Sequence, residues 1–329
     1  MTKRLTTILA SASILALTLV GCSSESPSGG ESSTPAGEGN GELTKVVVGI
    51  LPIAPSAAVQ YGIDEGIFEK HGLEVEVNTS NAGAAMLPAV STGELHLAVG
   101  NPLSVITAVE RGLDMKIVTG YSFSKGEGED ANAVIVRKDS GIANWSDLAG
   151  KTTSINALRT QGDLTIMESA ELDGANPQDL EFSEMPFPDM PAQLDRGNVD
   201  AIWVPEPFMS RALADENNQL LGYPNQEAIP NMPTMVTFTS GDFAEENPEV
   251  IADFQAALQE ILPITDGDDQ VIRDMLPDFI NMDPEEAQAI VMEAWNAEVP
   301  TAELEQLAVM AEKFGFIDSA PNIAEMIVN

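Results

Sequence analysis

The sequence is poor in the residues that carry most enzyme chemistry. It holds one cysteine, Cys22, and two histidines, His71 and His96. A single cysteine excludes an intramolecular disulfide and leaves no catalytic thiol elsewhere in the chain. The same scarcity leaves too few soft ligands for a transition-metal site. The common motifs for nucleophiles, phosphate loops and dinucleotides are also missing, so we expect no enzyme activity, no cofactor and no metal.

Positive charge is scarce as well. The chain has 15 Lys+Arg against 52 Asp+Glu, a net charge of -37. A surface of this sign repels nucleic acid and anionic lipid head groups, so we expect no nucleic-acid partner. The apolar run within the first 22 residues is too short to span a bilayer comfortably, and no second hydrophobic segment reaches transmembrane length. With 43% hydrophobic residues and 329 residues in all, the chain has enough material for two domains with sizeable cores.

Residues 1–22 have the features of a lipoprotein signal peptide. Lys3 and Arg4 precede an apolar run, and LVGC at 19–22 resembles a bacterial lipobox. We expect Cys22 to be lipidated and to hold the chain on the extracytoplasmic face of the cell membrane. An ordinary signal peptide or a buried apolar helix is the alternative. Residues 23–42 contain no Val, Ile, Leu or aromatic residue, which predicts a disordered linker.

From residue 43 onward the apolar pattern predicts alternating strands and helices. The predicted strands are 45–51, 73–78, 95–99, 115–123, 133–137, 151–155, 180–185, 199–204 and 234–239. The predicted helices run up to residue 70 and over 84–91, 102–111, 249–262, 269–279, 284–294 and 301–314. This alternation is typical of parallel α/β sheets.

The same pattern predicts two α/β lobes and a helical C-terminal tail. We expect lobe 1 to combine residues 43–135 and 238–329, and lobe 2 to be residues 136–237. The chain then crosses between the lobes twice, which makes a hinge, and a hinge between lobes makes a cleft.

The loops that leave the carboxyl ends of the predicted strands are candidates for a binding site. Ligands of open α/β sheets bind at this edge, and helix N-termini there offer unpaired N–H groups. Short turns need the same small residues, so a single loop of this kind favours an ordinary turn, whereas the seven loops together favour a binding site. Five of the 17 aromatic residues lie in these loops, which are 52–57, 80–84, 100–104, 121–123, 156–160, 186–189 and 203–208.

Three stretches resemble the ABC-importer solute-binding proteins that include aliphatic-sulfonate, taurine, nitrate and thiamine-pyrimidine-precursor binders. They are GILPIAPSAAVQYGIDEGIFEKHGLEVEV, STGELHLAVGNPLSVI and PFPDMPAQLDRGNVDAIWVPEPF, and the resemblance extends over nearly all of 44–329. It implies a type II periplasmic-binding fold that closes over one small molecule. It also implies a monomer that delivers a small organic solute, anionic, aromatic or heteroaromatic, to an ABC permease and its ATPase.

Two departures limit what the resemblance implies. Eukaryotic pyrimidine synthases of this superfamily carry a cysteine-rich motif that this chain lacks, so their activity is not extended to it. The segment after residue 155 also lacks the Ser/Thr-rich pattern of sulfonate binders, which weighs against a sulfonate ligand. A non-transport surface lipoprotein, such as an adhesin or chaperone, and an enzyme on the same fold remain the alternatives.

The contact loops of the family imply twenty ligand-binding residues in this chain. They are Pro52, Ile53, Ala54, Ser56, Ala57, Asn81, Ala82, Gly83, Ala84, Asn101, Ser104, Tyr121, Ser122, Asn156, Leu158, Arg159, Thr160, Asp189, Trp203 and Glu206.

Five residues of these loops have two interpretations each. Arg159 either binds a carboxylate or sulfonate of the ligand or forms a surface salt bridge. Glu206 either accepts from a ligand amine or ring N–H or caps the following helix. Tyr121, Phe187 and Trp203 either stack on a planar ligand or belong to the core.

Overall fold

A computed structural model describes residues 42–328 of the chain. The predicted signal peptide, Cys22 and nearly all of the predicted linker lie outside the described residues. The strands are β1 Thr44–Ile50, β2 Leu73–Thr79, β3 Leu97–Gly100, β4 Met115–Phe123, β5 Asn132–Arg137, β6 Thr152–Ile155, β7 Glu181–Glu184, β8 Ala201–Pro205, β9 Asn218–Gly222, β10 Pro233–Ser240 and β11 Ala294–Trp295.

The helices follow or separate these strands, and several are short. They are α1 Ala57–Asp64, α2 Ile67–Lys70, α3 Gly83–Ser91, α4 Pro102–Glu110, α5 Gln161–Leu172, α6 Met190–Asp195, α7 Phe208–Leu213, α8 Pro224–Ala228, α9 Gly241–Glu246, α10 Pro248–Gly267, α11 Gln270–Phe279, α12 Pro284–Ala289, α13 Thr301–Lys313 and α14 Ile323–Met326. None of the helices in the described range combines the length and the apolarity needed to cross a bilayer.

The strands form two separate sheets. Sheet 1 has the order β11-β4-β10-β3-β1-β2, and sheet 2 has the order β7-β6-β8-β5-β9. In sheet 1, β1 pairs in parallel with β2 and β3, whereas β10 runs antiparallel to both β3 and β4. In sheet 2, β6 pairs in parallel with β7 and β8, and β5 runs antiparallel to β8 and β9. This arrangement confirms the predicted two-sheet α/β architecture.

The lobe boundaries expected from sequence can be placed on the observed strands. The expected boundaries after residues 135 and 237 both fall inside strands, because β5 spans Asn132–Arg137 and β10 spans Pro233–Ser240. Strand β5 pairs only within sheet 2, and β10 pairs only within sheet 1. The chain therefore passes from sheet 1 to sheet 2 between β4 and β5, and returns between β9 and β10.

Most predicted elements agree with the structure within one or two residues at each end, but helices α10 and α12 do not. Helix α10 was expected to end at residue 262 and ends at Gly267. A helix was expected over 284–294, and α12 ends at Ala289. The guanidinium of Arg273 donates to the carbonyl oxygens of Ala287, Gln288 and Ile290 at 3.1, 3.1 and 2.8 Å. These bonds occupy carbonyls at the C-terminal end of α12. The chain then continues extended into β11, and strands β9 and β11 were not predicted.

The core of sheet 1 lies between its strands and the flanking helices. All eight residues of β10 are buried, as expected for a strand with neighbours on both edges. Helix α10 packs its buried face, which includes Ile251, Phe254 and Leu258, toward the sheet. The ring of Phe254 stacks on that of Phe68 with centroids 5.6 Å apart. Buried aromatic pairs of this kind add stability beyond their area.

The two histidines have structural contacts. His71 is the C-cap residue of α2, as predicted, and its Nε2 lies 3.1 Å from a carboxylate oxygen of Glu260. His96 precedes β3, stacks on Phe243 and accepts a hydrogen bond at Nδ1 from the backbone N–H of Val47. Burial lowers the pKa of His96, which favours the neutral ring that this bond requires.

Candidate functional site

A cavity lies between the two sheets, at the ends of strands where the predicted loops meet. Its empty volume, including the open mouth, is about 470 Å³. Sheet 1 and its loops contribute Leu51, Ile53, Gly83, Asn101, Thr234, Met235 and Glu293. Sheet 2 and its loops contribute Asn132, Asn156, Thr160, Gln161, Phe187, Trp203 and Pro205.

The structure brings six of the twenty predicted site residues to this cavity. They are Ile53, Gly83, Asn101, Asn156, Thr160 and Trp203. Phe187, expected as an aromatic partner, also lines it. The other fourteen lie outside the lining: Pro52, Ala54, Ser56, Ala57, Asn81, Ala82, Ala84, Ser104, Tyr121, Ser122, Leu158, Arg159, Asp189 and Glu206.

Several of these fourteen support the lining from behind. The Ser104 N–H donates to Asn101 Oδ1 at 2.9 Å, which caps the start of α4. The Ser122 hydroxyl lies 2.8 Å from that of Thr234, a lining residue. Tyr121 is fully buried, and its hydroxyl donates to the Pro55 carbonyl at 2.9 Å. Tyr121 therefore belongs to the core, as one of its two interpretations held.

Glu206 caps the helix that follows it, which is the second of its two interpretations. Its carboxylate accepts from the N–H and hydroxyl of Ser210 in α7, at 3.1 and 2.7 Å. It also accepts from the N–H of Val291 at 3.0 Å. Burial raises the pKa of this carboxyl. Glu206 thus ties β8 of sheet 2 to the segment between α12 and β11.

The Arg159 side chain does not line the cavity and is bonded to backbone carbonyls. Its Nη2 donates to the carbonyl oxygens of Gly315 and Phe316 at 2.6 and 2.9 Å. The guanidinium carbon also lies 5.1 Å from the centre of the Phe316 ring, a cation–π contact. The side chain thus leads to the loop after α13 and not into the cavity.

Seven lining residues were not predicted: Leu51, Asn132, Gln161, Pro205, Thr234, Met235 and Glu293. Leu51 and Gln161 lie one residue beyond predicted loops, and Pro205 lies between the predicted residues Trp203 and Glu206. A slightly wider choice of loop residues would therefore have included all three. Asn132 starts β5 and Thr234 is the second residue of β10, at the two passages between the sheets. Glu293 had no signal, because the expected helix over 284–294 placed it on a helix and not in an extended segment.

Glu293 is the acidic side chain of the cavity lining. Asn132 Nδ2 donates to its Oε1 at 2.5 Å, and the Thr234 hydroxyl donates to its Oε2 at 2.9 Å. The side chain is 5% exposed. Burial raises the pKa of Glu293 to about 7, with Asp130 adding to the rise and the hydrogen bonds opposing it. The carboxyl can thus be neutral or charged near neutral pH.

We expect the burial of Glu293 to make the free energy of unfolding decrease as the pH rises. Between about pH 4.5 and 7 the folded chain holds a proton on Glu293 that the unfolded chain releases, so the ionised form disfavours the fold above pH 7. The full effect is about 3 kcal/mol. Glu293→Gln removes it, so the stability of this variant relative to the wild type should rise by that amount between about pH 4.5 and pH 8.

Urea denaturation at both pH values measures this difference directly. The exposed Glu181 on β7 provides a matched control, and Glu181→Gln should track the wild type. A difference between Glu293→Gln and wild type that does not change with pH would contradict the expected burial effect.

An aromatic wall closes the cavity on the side of sheet 2. The rings of Phe187 and Trp203 lie with centroids 5.9 Å apart and planes tilted by 50°. Gly162, in the first turn of α5, packs against the indole, because a Cβ there would lie 2.8 Å from a ring carbon of Trp203. The backbone of α5 therefore fixes the position of the indole.

Two buried polar atoms of this wall have no hydrogen-bond partner anywhere in residues 42–328. They are Nε1 of Trp203 and Oε1 of Gln161, in side chains that are 6% and 2% exposed. A buried donor or acceptor without a partner costs about 1–3 kcal/mol. Both residues line the cavity, so a bound molecule can supply the missing partners.

The start of α5 carries a second buried acid behind the lining. Asp163 accepts from the backbone N–H groups of Arg159 and Thr160 at 2.6 and 2.8 Å. Burial raises the pKa of Asp163 to about 7, although these N–H groups oppose the rise. The capping box therefore occupies part of the positive end of α5. Within the described part of the chain, no three His, Cys, Asp or Glu side chains are grouped to hold a metal ion.

Sequence comparison assigns the chain to a family. A family model described as NMT1/THI5 like matches residues 55–261, more than half of the chain. The chain belongs to the NMT1/THI5-like family. The resemblance inferred from the three stretches is thereby confirmed. A curated relative, the nitrate import ATP-binding protein NrtC of Synechocystis sp., is 26% identical over 203 residues. The match covers 56% of this NMT1/THI5-like chain but only 29% of the relative.

Solved structures share the fold at low sequence identity. The periplasmic aliphatic sulphonate binding protein SsuA from Escherichia coli has a TM-score of 0.71 at 17% identity, with 87% of this chain and 97% of that chain covered. The periplasmic nitrate-binding protein NrtA from Synechocystis PCC 6803 has a TM-score of 0.74 at 13% identity, with 87% and 86% covered. The alkanesulfonate-binding protein SsuA from Xanthomonas axonopodis pv. citri bound to MOPS has a TM-score of 0.72 at 15% identity, with 87% and 99% covered. The periplasmic-binding-protein fold predicted from sequence is therefore confirmed.

Proposed function

We propose that this NMT1/THI5-like protein is the solute-binding component of an ABC importer. It captures one small organic solute between two lobes, one built on each sheet, and delivers it to a membrane permease and its ATPase. It performs no chemistry on the solute. In the same proposal the protein is a monomer, held at the extracytoplasmic face of the cell membrane by a lipid on Cys22.

The observation that carries this proposal is the cavity between the sheets, which has two polar atoms without a hydrogen-bond partner in its wall. Such a cavity gains stability from a solute that pairs with Trp203 Nε1 and Gln161 Oε1. Family membership and the shared fold of proteins named for nitrate and sulfonate binding support the same function. These neighbours are named as binding proteins and not as enzymes.

Three basic residues connect the two sheet regions outside the cavity, and we call these contacts the latch. Lys313, at the end of α13, pairs with Glu168 at 2.6 Å and also with Glu171, both on α5. Arg211 on α7 pairs with Glu286 on α12 at 2.6 Å. Arg159 binds the carbonyls after α13. The latch holds the sheets together without touching a bound solute.

We expect latch variants to weaken the binding of every solute by the same factor. Lys313→Met or Arg159→Met should lower the fraction of molecules in the closed state. Because the closed state is the one that binds the solute tightly, the apparent affinity falls in proportion to that fraction. Loss of one latch contact should raise the dissociation constant about threefold to tenfold. Calorimetry with one charged and one uncharged solute measures the two factors.

The surface pair of Lys45 with Glu76 lies within sheet 1 and provides the control. Lys45→Met should leave both affinities unchanged. If Arg159→Met weakened only the charged solute, Arg159 would contact the ligand, as its first interpretation held.

A thermal-shift screen of the full chain, purified in detergent, tests the proposed function. The panel contains nitrate, sulfonates, amino acids, pyrimidines and aromatic amides and acids. A solute at a hundred times its dissociation constant adds about 2.7 kcal/mol to stability. Tryptophan fluorescence reports whether a hit reaches the cavity, and Trp203→Phe should abolish that signal. Hits that bind Trp203→Phe and wild type identically, with no change in fluorescence, would contradict a site in this cavity.

A further inference from the structure

The charges at the cavity wall limit the kind of solute that fits. None of the fourteen lining residues is a lysine, arginine or histidine. The acid among them, Glu293, is buried and already accepts from Asn132 and Thr234. An anion in this cavity would face a carboxyl group with no cationic side chain beside it, and an uncompensated buried charge is costly.

Helix starts are the remaining source of positive potential, and two of the three are partly occupied. Helices α3, α4 and α5 begin at or next to lining residues, and helix N-termini favour anions. At α4, however, Pro102 lacks an N–H and Asn101 already accepts from Ser104. At α5, Asp163 takes the N–H groups of Arg159 and Thr160. These contacts reduce what the helix starts offer to an anion.

The wall offers both acceptors and donors to an uncharged molecule. A carboxylate has about four lone-pair sites, and Glu293 uses two of them, on Asn132 and Thr234. At least one acceptor position therefore remains. Gln161 Oε1 is a second acceptor, and Trp203 Nε1 is a donor, both without a protein partner in the described residues. The rings of Phe187 and Trp203 add a flat apolar surface beside them.

We propose that the cavity takes an uncharged planar heterocycle whose edge carries an N–H donor and a carbonyl or ring-nitrogen acceptor. The N–H of the heterocycle donates to Glu293, and its acceptor receives the indole N–H of Trp203. Gln161 Oε1 accepts from a further N–H of the solute. Nitrate, sulfonates and carboxylates are excluded as preferred solutes. This inference rests on the proposed function and specifies the solute class of the same site.

Matched amide and acid pairs test the inference in the wild-type full chain. The probes are nicotinamide with nicotinate, benzamide with benzoate, cytosine, uracil, nitrate and MOPS, each titrated by calorimetry at pH near 7. We expect at least one uncharged heterocycle to bind, and its acid counterpart to bind at least about tenfold more weakly. This comparison needs no variant, so it stands even if a substitution prevents folding.

Glu293→Gln then identifies the residue responsible. An amide side chain at 293 lacks the charge and offers an N–H in place of one acceptor, so the uncharged heterocycle should lose about tenfold in affinity. The difference in affinity between the matched amide and acid probes should become smaller in the same variant. The control is Glu227→Gln, because Glu227 is an acid that is hydrogen-bonded to Trp145 and lies outside the cavity. This control should preserve both affinities.

The failures of the two proposals are distinguishable. Nitrate, MOPS or nicotinate binding more tightly than every uncharged probe would overturn the inference and leave the proposed function intact. If no uncharged heterocycle bound measurably up to its solubility limit, the inference would also be overturned. The broader screen described above would then decide the proposed function by itself.

Discussion

Gly120→Ala should lower the free energy of unfolding by about 3 kcal/mol, at the upper end of overpacking effects. A Cβ at this position would lie 2.2 Å from the carbonyl oxygen of Glu298 and 2.6 Å from that of Asn296. Both obstacles are backbone atoms, which cannot move aside as the end of a side chain can. Gly120 also lies in β4 opposite Val236 of β10, so the strand itself has neighbours on both sides.

Urea denaturation of the purified variants measures this loss. The matched control is Gly267→Ala, since Gly267 ends α10 and a Cβ there meets nothing within 4 Å. Alanine at a helical position is favoured over glycine, so this control should match or slightly exceed wild-type stability. Equal stability of Gly120→Ala and Gly267→Ala would show that the 296–298 segment does not lie against β4.

Arg273→Met should lower stability by about 3 kcal/mol, because several charge-assisted hydrogen bonds are lost together. Its guanidinium binds three carbonyl oxygens at the end of α12 and the carboxylate of Asp269. The side chain is 14% exposed, so water replaces these bonds poorly. The segment that leaves α12 also carries Glu293, so solute binding should weaken as well.

Arg111, exposed after α4, is the control for this substitution. Arg111→Met changes the same charge and should shift the urea midpoint by less than about 0.5 kcal/mol in free energy. If the Arg273→Met variant were destabilised but bound the solute as tightly as the wild type, the end of α12 would not position Glu293.

The strand positions were predictable because the apolar pattern is local. Strand β4 was predicted at its observed bounds, and β10 within one residue at each end. The general place of the cavity followed from a property of α/β sheets, since loops at the carboxyl ends of strands meet at one edge. Ile53, Asn101, Asn156 and Trp203 were found in this way.

The rest depends on contacts between residues far apart in sequence. The sequence pattern continues α12 to 294, but Arg273, Glu206 and Asp266 hold the following backbone in an extended form. Only this extended form brings Glu293 to the cavity. Propensity within a short window does not contain that information, because tertiary bonds override it.

Arg159 illustrates the same limit for side chains. Its position in a loop beside the cavity was predicted, and the direction of its side chain was not. A long flexible side chain can reach either the cavity or the loop after α13, and the free carbonyls of Gly315 and Phe316 decide between them. Their availability depends on how α13 ends, about 150 residues further along the chain.

The position of β10 has a consequence for the order in which the chain folds. All the strand partners of sheet 2 lie between residues 132 and 222, so this sheet can assemble as soon as that segment has left the ribosome. Sheet 1 has to wait, because β10 joins β3 to β4 and is made later. The region synthesised second therefore completes its sheet first. Until residue 240 emerges, β1 to β3 and β4 expose unpaired edges, which makes this interval the aggregation-prone stage of synthesis.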